Sequence, residues 1–282
     1  MPSWTPFPEL DAVLGDLAGA VRSVVRDAFV GLYLQGSFAL GAGDAQSDAD
    51  FVVVLTGLHT GAVEAGLREL HADIPTRPGI WNMNLEGSYA DAASLRNASG
   101  LGVPWLYNDR GHRTLAWDQH CNSLPTRCIL RNCAISIDGP PIEELVDAVP
   151  EAAMKAAALA ELPGTLVEIA SWADMDNAWT QKYIVQTYSR MLYTATTGRV
   201  ASKPQALAWA MEALAPTWRP LLGQVAEDRA LPWRPVDPPR PGSLDLATAY
   251  AGHIEGLVRR WPERPRLLRG HVGLSAAESP RR

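Results

Sequence analysis

Residues 32–55 read LYLQGSFALGAGDAQSDADFVVVL. A short apolar strand runs into Gly36-Ser37, and Asp48-Ala49-Asp50 stands directly before the apolar run FVVVL (51–55). Two carboxylates at the mouth of a buried strand are costly unless something offsets their charge. Positions i and i+2 on a strand put both side chains on one face. Carboxylates this close repel, so a cation or a bound proton is expected there. Mg²⁺ suits the site, because it takes oxygen ligands and completes its shell with substrate phosphates. Gly36 and Ser37 suit the phosphates: glycine permits close approach of the backbone, and the serine hydroxyl can hydrogen-bond phosphate oxygens. An isolated Asp-x-Asp is a weak signal, more often a turn or a helix cap. Here the order strand, Gly-Ser, linker, Ser-Asp-x-Asp, buried strand gives it a context.

On either side of this stretch, alternation of α and β patterns continues to about residue 150. Leu10, Val13, Leu14, Leu17, Val21, Val24 and Val25 recur at helical spacing over 9–29. The run 51–55 is apolar enough to be covered on both faces, and 61–74 reads as a helix between strands. IWNMNLEGSY (80–89) alternates, so a third strand is expected over it, with Trp81, Met83 and Leu85 on one face and Asn82, Asn84 and Glu86 on the other. Glu86 then lies beside the aspartates, as a third metal ligand or as the base that takes a proton from an attacking hydroxyl. SLPTRCILRN (123–132) reads as a helix and CAISIDGPP (133–141) as a short last strand ended by a Gly-Pro-Pro turn.

Beyond residue 150 the pattern becomes helical throughout. EAAMKAAALA (151–160) consists of good helix formers. Ile184, Val185, Tyr188, Met191, Leu192 and Ala195 form an apolar stripe over 179–196, which Gly198 closes. Further helices are expected over 204–214 and 243–261, with a Pro-rich loop at 231–243 between them. The patterns give an N-terminal domain of mixed α and β elements over 1–150, an all-helical domain over 151–262 and a flexible tail over 263–282.

Composition narrows the function classes. The chain has 282 residues, 47% of them hydrophobic and 20% charged, with a formal charge of −6. That charge disfavours a general nucleic-acid binder or an RNA-tailing polymerase. No apolar run is long enough to span a bilayer, and MPSWTPFPELDAV has no signal-peptide pattern. Cys121, Cys128 and Cys133 lack metal-ligand spacing, and an odd thiol count without an export signal suggests a reduced, cytoplasmic protein.

The stretch GSFALGAGDAQSDAD (36–50) resembles the signature of the polymerase-beta-like nucleotidyltransferases. CAISIDGPPIEELVDAVP (133–150) is similar to the end of the catalytic domain of aminoglycoside adenylyltransferases of the streptomycin/spectinomycin type, and YSRMLYTATTGRVASKPQALAWAMEAL (188–214) to their helical domain. The resemblance implies an α+β fold, with a catalytic domain over 1–150 built on a mixed sheet flanked by helices and a helical bundle domain over 151–262 that binds substrate and nucleotide. It also implies that Asp48 and Asp50 hold Mg²⁺, that Gly36 and Ser37 meet the ATP phosphates, and that Glu86 is the general base. It implies that Lys203 reaches the triphosphate, and that Trp172 and Asp176 in SWADMDNAW (171–179) contact the antibiotic, with Asp174 a further candidate. Asp176 falls at the family's acidic position, while Trp172 is one residue out of register. Thr180 and Tyr183 depart from the polar or acidic groups that the family tends to carry.

The expected activity is Mg²⁺-dependent transfer of AMP from ATP to a hydroxyl of an aminoglycoside or aminocyclitol antibiotic. The partner is then a small molecule, with no nucleic acid or membrane. The alternatives are the same chemistry on another small molecule or on a protein hydroxyl, and a nucleotide-sensing protein that has lost catalysis.

Overall fold

The computed structural model describes residues 3–57, 61–229 and 238–261. Most of the Pro-rich loop and the tail expected over 263–282 lie outside the described residues.

In chain order, the N-terminal part comprises α1 (Pro8–Val25), β1 (Phe29–Leu34), α2 (Gly36–Ala39), β2 (Ala49–Leu55), α3 (Ala62–Asp73), α4 (Ile80–Met83), β3 (Leu85–Asp91), α5 (Ala92–Leu95), β4 (Trp105–Asn108), β5 (Leu115–Asp118), α6 (Leu124–Cys133) and β6 (Ile135–Asp138). The strands form a six-stranded sheet in the order β5-β4-β3-β2-β1-β6. Only β2 and β3 pair in parallel; the other neighbours are antiparallel. The sheet is mixed, as the family resemblance implies.

The central strand β2 shows why. Phe51, Val53 and Leu55 pack into one apolar cluster with Leu10, Leu14, Leu17 and Val21 of α1. Val52 and Val54 pack into a second cluster, on the opposite face, with Leu130 of α6 and Leu95 of α5. A strand covered on both faces has no use for alternating polarity, hence the unbroken apolar run.

The strand expected from residue 80 begins five residues later. Ile80–Met83 is a single helical turn, and β3 starts at Leu85. Trp81 and Leu85 are buried, but Met83 is exposed, so the alternation does not describe one face. Gly79 at φ +102° starts the turn, and the Trp81 ring packs on Phe7 and Phe38. That tertiary contact overrides a pattern that reads equally well as strand.

The helical part comprises α7 (Glu151–Glu161), α8 (Thr165–Trp172), α9 (Ala178–Thr197), α10 (Lys203–Ala213), α11 (Arg219–Arg229) and α12 (Ser243–Arg259). The chain divides into one compact unit of Met1–Ala158 with Thr194–Ser202 and another of Leu159–Tyr193 with Lys203–Arg282. The second unit buries Ile184, Val185, Tyr188, Leu207, Leu222, Tyr250 and Ile254. Within it, the Tyr188 hydroxyl donates to Glu255 at 2.6 Å, and Ser189 and Tyr250 share a hydrogen bond of 2.8 Å. In the first unit, Gly198 at φ +77° ends α9 against the start of α7, where a Cβ would lie 2.7 Å from the Glu151 carbonyl oxygen.

Candidate active site

Parallel pairing brings the acidic residues together. Asp50 on β2 stands directly opposite Glu86 on β3. Each is the second residue of its strand. Side-chain alternation puts Asp50 and Glu86 on the face that carries Val52, Val54 and Ala90 deeper in the sheet. Asp48 precedes β2 by one residue. Asp50 and Asp48 both act on Glu86: burial first, then repulsion by these two carboxylates, raises the Glu86 carboxyl from 4.5 to about 8.

The Tyr107 hydroxyl works in the opposite direction. It donates to Glu86 Oε1 at 2.9 Å and so favours the carboxylate form. Tyr107 comes from β4, whose antiparallel register places it opposite Ser88. His120 Nε2 lies 3.8 Å from Glu86 Oε1, with its ring 5.2 Å from that of Tyr107.

Gly36 fits closely against the pair. Its φ is +62°, and a Cβ built on it would lie 2.0 Å from Asp50 Oδ2. The main chain is pinned here too, with the Gln35 amide donating to the Asp50 carbonyl at 2.7 Å. Ser37 follows in the single turn of α2 and is partly exposed. The carboxylate of Asp50 thus rests on the backbone of the Gly-Ser turn.

Asp48 Oδ1 lies 2.8 Å from Nη1 of Arg110. The same guanidinium donates through Nε and Nη2 to Asn84 Oδ1, at 3.2 and 2.9 Å. Among the described residues, no three His, Cys, Asp or Glu side chains converge as a ready metal cage. Asp48, Asp50 and Glu86 are neighbours, with Arg110 against Asp48 and the Tyr107 hydroxyl on Glu86. A Mg²⁺ site needs less than a cage, since the ion uses one or two carboxylates and takes its remaining ligands from water and phosphates. Asp48 and Asp50, oxygen donors beside a glycine with no side chain in the way, fit that requirement.

The remaining expected residues lie in the second unit. Lys203, partly buried, is the first residue of α10. Trp172 ends α8 and is 55% exposed. Its ring meets those of Trp179 and Tyr183 edge-on at 6.3 and 5.7 Å, and the latter two stack at 4.9 Å. Asp174 and Asp176 form the exposed turn before α9, with the Asp176 amide donating to Asp174 Oδ1 at 3.0 Å. Asn177 caps the helix through the Trp179 amide at 2.8 Å. Thr180 is buried, whereas Tyr183 belongs to the aromatic group.

Tyr107, Arg110 and His120 were not read from the sequence as site residues. Tyr107 reaches the face of Glu86 only through the pairing of β4 with β3, which the short stretch PWLYND (104–109) does not signal by itself.

Comparison with known proteins agrees with this architecture. Residues 144–230 match the family described as aminoglycoside adenylyltransferase, C-terminal domain. The chain is 27% identical over 239 residues to an aminoglycoside (3'') (9) adenylyltransferase of Shigella flexneri, covering 76% of this chain and 83% of that protein. It is 28% identical over 234 residues to the enzyme of that name from Klebsiella pneumoniae, covering 74% and 81%. Its fold is similar to that of a spectinomycin adenyltransferase from Enterococcus faecialis crystallised with ATP and spectinomycin, at a TM-score of 0.60 and 15% identity, over 86% of this chain and 96% of the other. The curated relatives are adenylyltransferases, a kind of nucleotidyltransferase. Over three quarters of its length the chain is similar to aminoglycoside adenylyltransferases, and residues 144–230 match the C-terminal domain of that family.

Proposed function

We propose that the protein transfers AMP from ATP to a hydroxyl of an aminoglycoside or aminocyclitol antibiotic of the streptomycin/spectinomycin class and thereby inactivates it. The observation that carries this reading is the facing of Asp50 and Glu86 across the parallel β2–β3 pair, beside Gly36. One carboxylate belongs to a cation and phosphate site, and its neighbour is held with high proton affinity, as a general base requires.

In this reading, Glu86 takes the proton of the acceptor hydroxyl. The acceptor oxygen forms a bond to the α-phosphorus, the bond from that phosphorus to the β-phosphate oxygen breaks, and pyrophosphate leaves. Mg²⁺ held by Asp48 and Asp50 would neutralise charge on the phosphate oxygens. Gly36 and Ser37 admit the phosphates to the strand end, and Lys203 stabilises the leaving pyrophosphate. The Tyr107 hydrogen bond keeps Glu86 competent as a base by favouring its carboxylate form. Trp172, with Trp179 and Tyr183 beside it and Asp174 and Asp176 on the adjoining turn, offers aromatic faces and negative charge suited to a cationic sugar. No helix among the described residues is long and apolar enough to cross a membrane. Free thiols at Cys121, Cys128 and Cys133 suit a reducing cytoplasm.

The test is pyrophosphate release from ATP and Mg²⁺ with streptomycin, spectinomycin and a panel of other aminoglycosides. Release with one of them, lost in Asp50→Asn, is the expected result. Silence across the panel with ATP bound would move the acceptor to another small molecule or a protein hydroxyl.

A further inference from the structure

Arg110 has no part in the reaction described above, yet it is held more firmly than a surface arginine needs to be. It follows β4, in the turn before β5, and its guanidinium forks between two elements. Nη1 faces Asp48 Oδ1 at 2.8 Å, while Nε and Nη2 both donate to Asn84 Oδ1. Asn84 is itself fixed: it is 3% exposed, and its carbonyl accepts the Ala49 amide at 2.8 Å, so it is tied to the strand that carries the aspartates. The Arg110 amide donates to Asp109 Oδ1 at 2.8 Å. The guanidinium is thus clamped against the carboxylate that begins the Asp-x-Asp pair. Its side chain is still 35% exposed, which leaves it a way out.

We propose that Arg110 is a built-in counter-ion that competes with the divalent cation for Asp48. The proposal rests on the reading of Asp48 and Asp50 as metal ligands. Without metal, the guanidinium offsets part of the charge that Asp48, Asp50 and Glu86 concentrate at the strand ends. A divalent ion on Asp48 would bring a second positive charge within a few ångströms of the guanidinium, and the two would repel. Loading the metal therefore favours release of Arg110, and the affinity for metal is the balance of the two contacts. Asn84 sets that balance by holding the fork in place, a geometry that arginine supplies and lysine does not.

The test is Mn²⁺ binding without nucleotide, followed by electron paramagnetic resonance, in the full chain and in Arg110→Gln, Arg110→Ala and Asp48→Asn. Both Arg110 variants should bind Mn²⁺ roughly fivefold more tightly, the scale of one partly exposed ion pair. Asp48→Asn should bind it more weakly. Arg110 variants with unchanged or weaker affinity, beside an Asp48→Asn that loses binding, overturn the competition and leave the metal site standing. An Asp48→Asn that binds as well as the parent overturns the metal reading itself. A second measurement needs no variant at position 110. The Arg110 Nε–Hε resonance should shift as Mg²⁺ is added, with the same midpoint as metal binding; a resonance unmoved at saturating Mg²⁺ overturns the proposal.

Discussion

Gly36 and Asp50 are so close that a Cβ on the glycine would lie 2.0 Å from the Asp50 carboxylate oxygen. The φ of +62° adds a second obstacle, since a side chain there costs about 1–2 kcal/mol in backbone strain alone. Gly36→Ala should therefore push Asp50 out of place rather than merely loosen a turn. The expected outcome is a folded protein with reduced thermal stability and little pyrophosphate release, checked by a melt and an activity assay on one preparation. A fully active Gly36→Ala would show that the carboxylate position is not critical.

Removing one charge from the pair separates chemistry from folding. Asp48→Asn and Asp50→Asn keep the shape and relieve repulsion; Asp50→Asn should not lower the melting temperature of the metal-free protein, and Asp48→Asn, which also loses the partly exposed Arg110 ion pair, should change it little. Both should reduce turnover by roughly 10²–10³-fold, the scale for losing one group that stabilises transition-state charge.

Glu86 has a signature in pH. Burial, and then Asp50 and Asp48, raise it from 4.5 to about 8, so in the metal-free site it holds a proton across the neutral range. Its contribution to stability is full below pH 4.5 and is lost as the pH rises through about 8, because the folded protein binds that proton more tightly than the unfolded chain. Glu86→Gln should remove this loss from the metal-free stability curve. It should also keep ATP binding while lowering transfer by roughly 10²–10⁴-fold. Tyr107→Phe deletes the hydrogen bond that lowers the Glu86 proton affinity, so the acidic limb of the rate profile should move to higher pH.

His71 reports on the core rather than on the site. It is 1% exposed, and its Nε2 lies 2.7 Å from the Tyr89 hydroxyl, under the Phe51 ring. Burial lowers its pKa from 6.5 to about 4. Its contribution is present above pH 6.5 and lost as the pH falls through about 4, opposite in sign to that of Glu86. The difference in urea midpoint between the parent and His71→Gln should therefore shrink over that acidic window. A constant difference would mean that His71 is not buried neutral.

Much of this site was legible because its carriers are local. Asp48, Asp50 and the apolar run after them fix the strand, its two covered faces and the direction of the carboxylates. Glu86 could be placed beside them from the polar positions of 80–89, even though the first turn of that stretch is helical, because Leu85 onward is strand. Tyr107 and Arg110 were not found, since their importance comes only from β4 pairing with β3 and a turn folding back on Asp48. Short strands such as Trp105–Asn108 and Leu115–Asp118 carry too few residues to show a period. The helices Thr165–Trp172 and Arg219–Arg229 escaped notice for a related reason: each follows a proline that reads as a break.

The last turn of α9 and the loop to Ser202 belong with the first unit, where Gly198 rests on Glu151 and Arg199 Nε meets Glu151 Oε1 at 3.1 Å. The polypeptide thus leaves that unit, returns to it for nine residues, Thr194–Ser202, and leaves again. A single proteolytic cut cannot separate the units cleanly. A fragment ending near residue 158 would expose the surface that Gly198 covers, and complementation by two separately expressed halves would require the C-terminal half to return Thr194–Ser202 to the first unit.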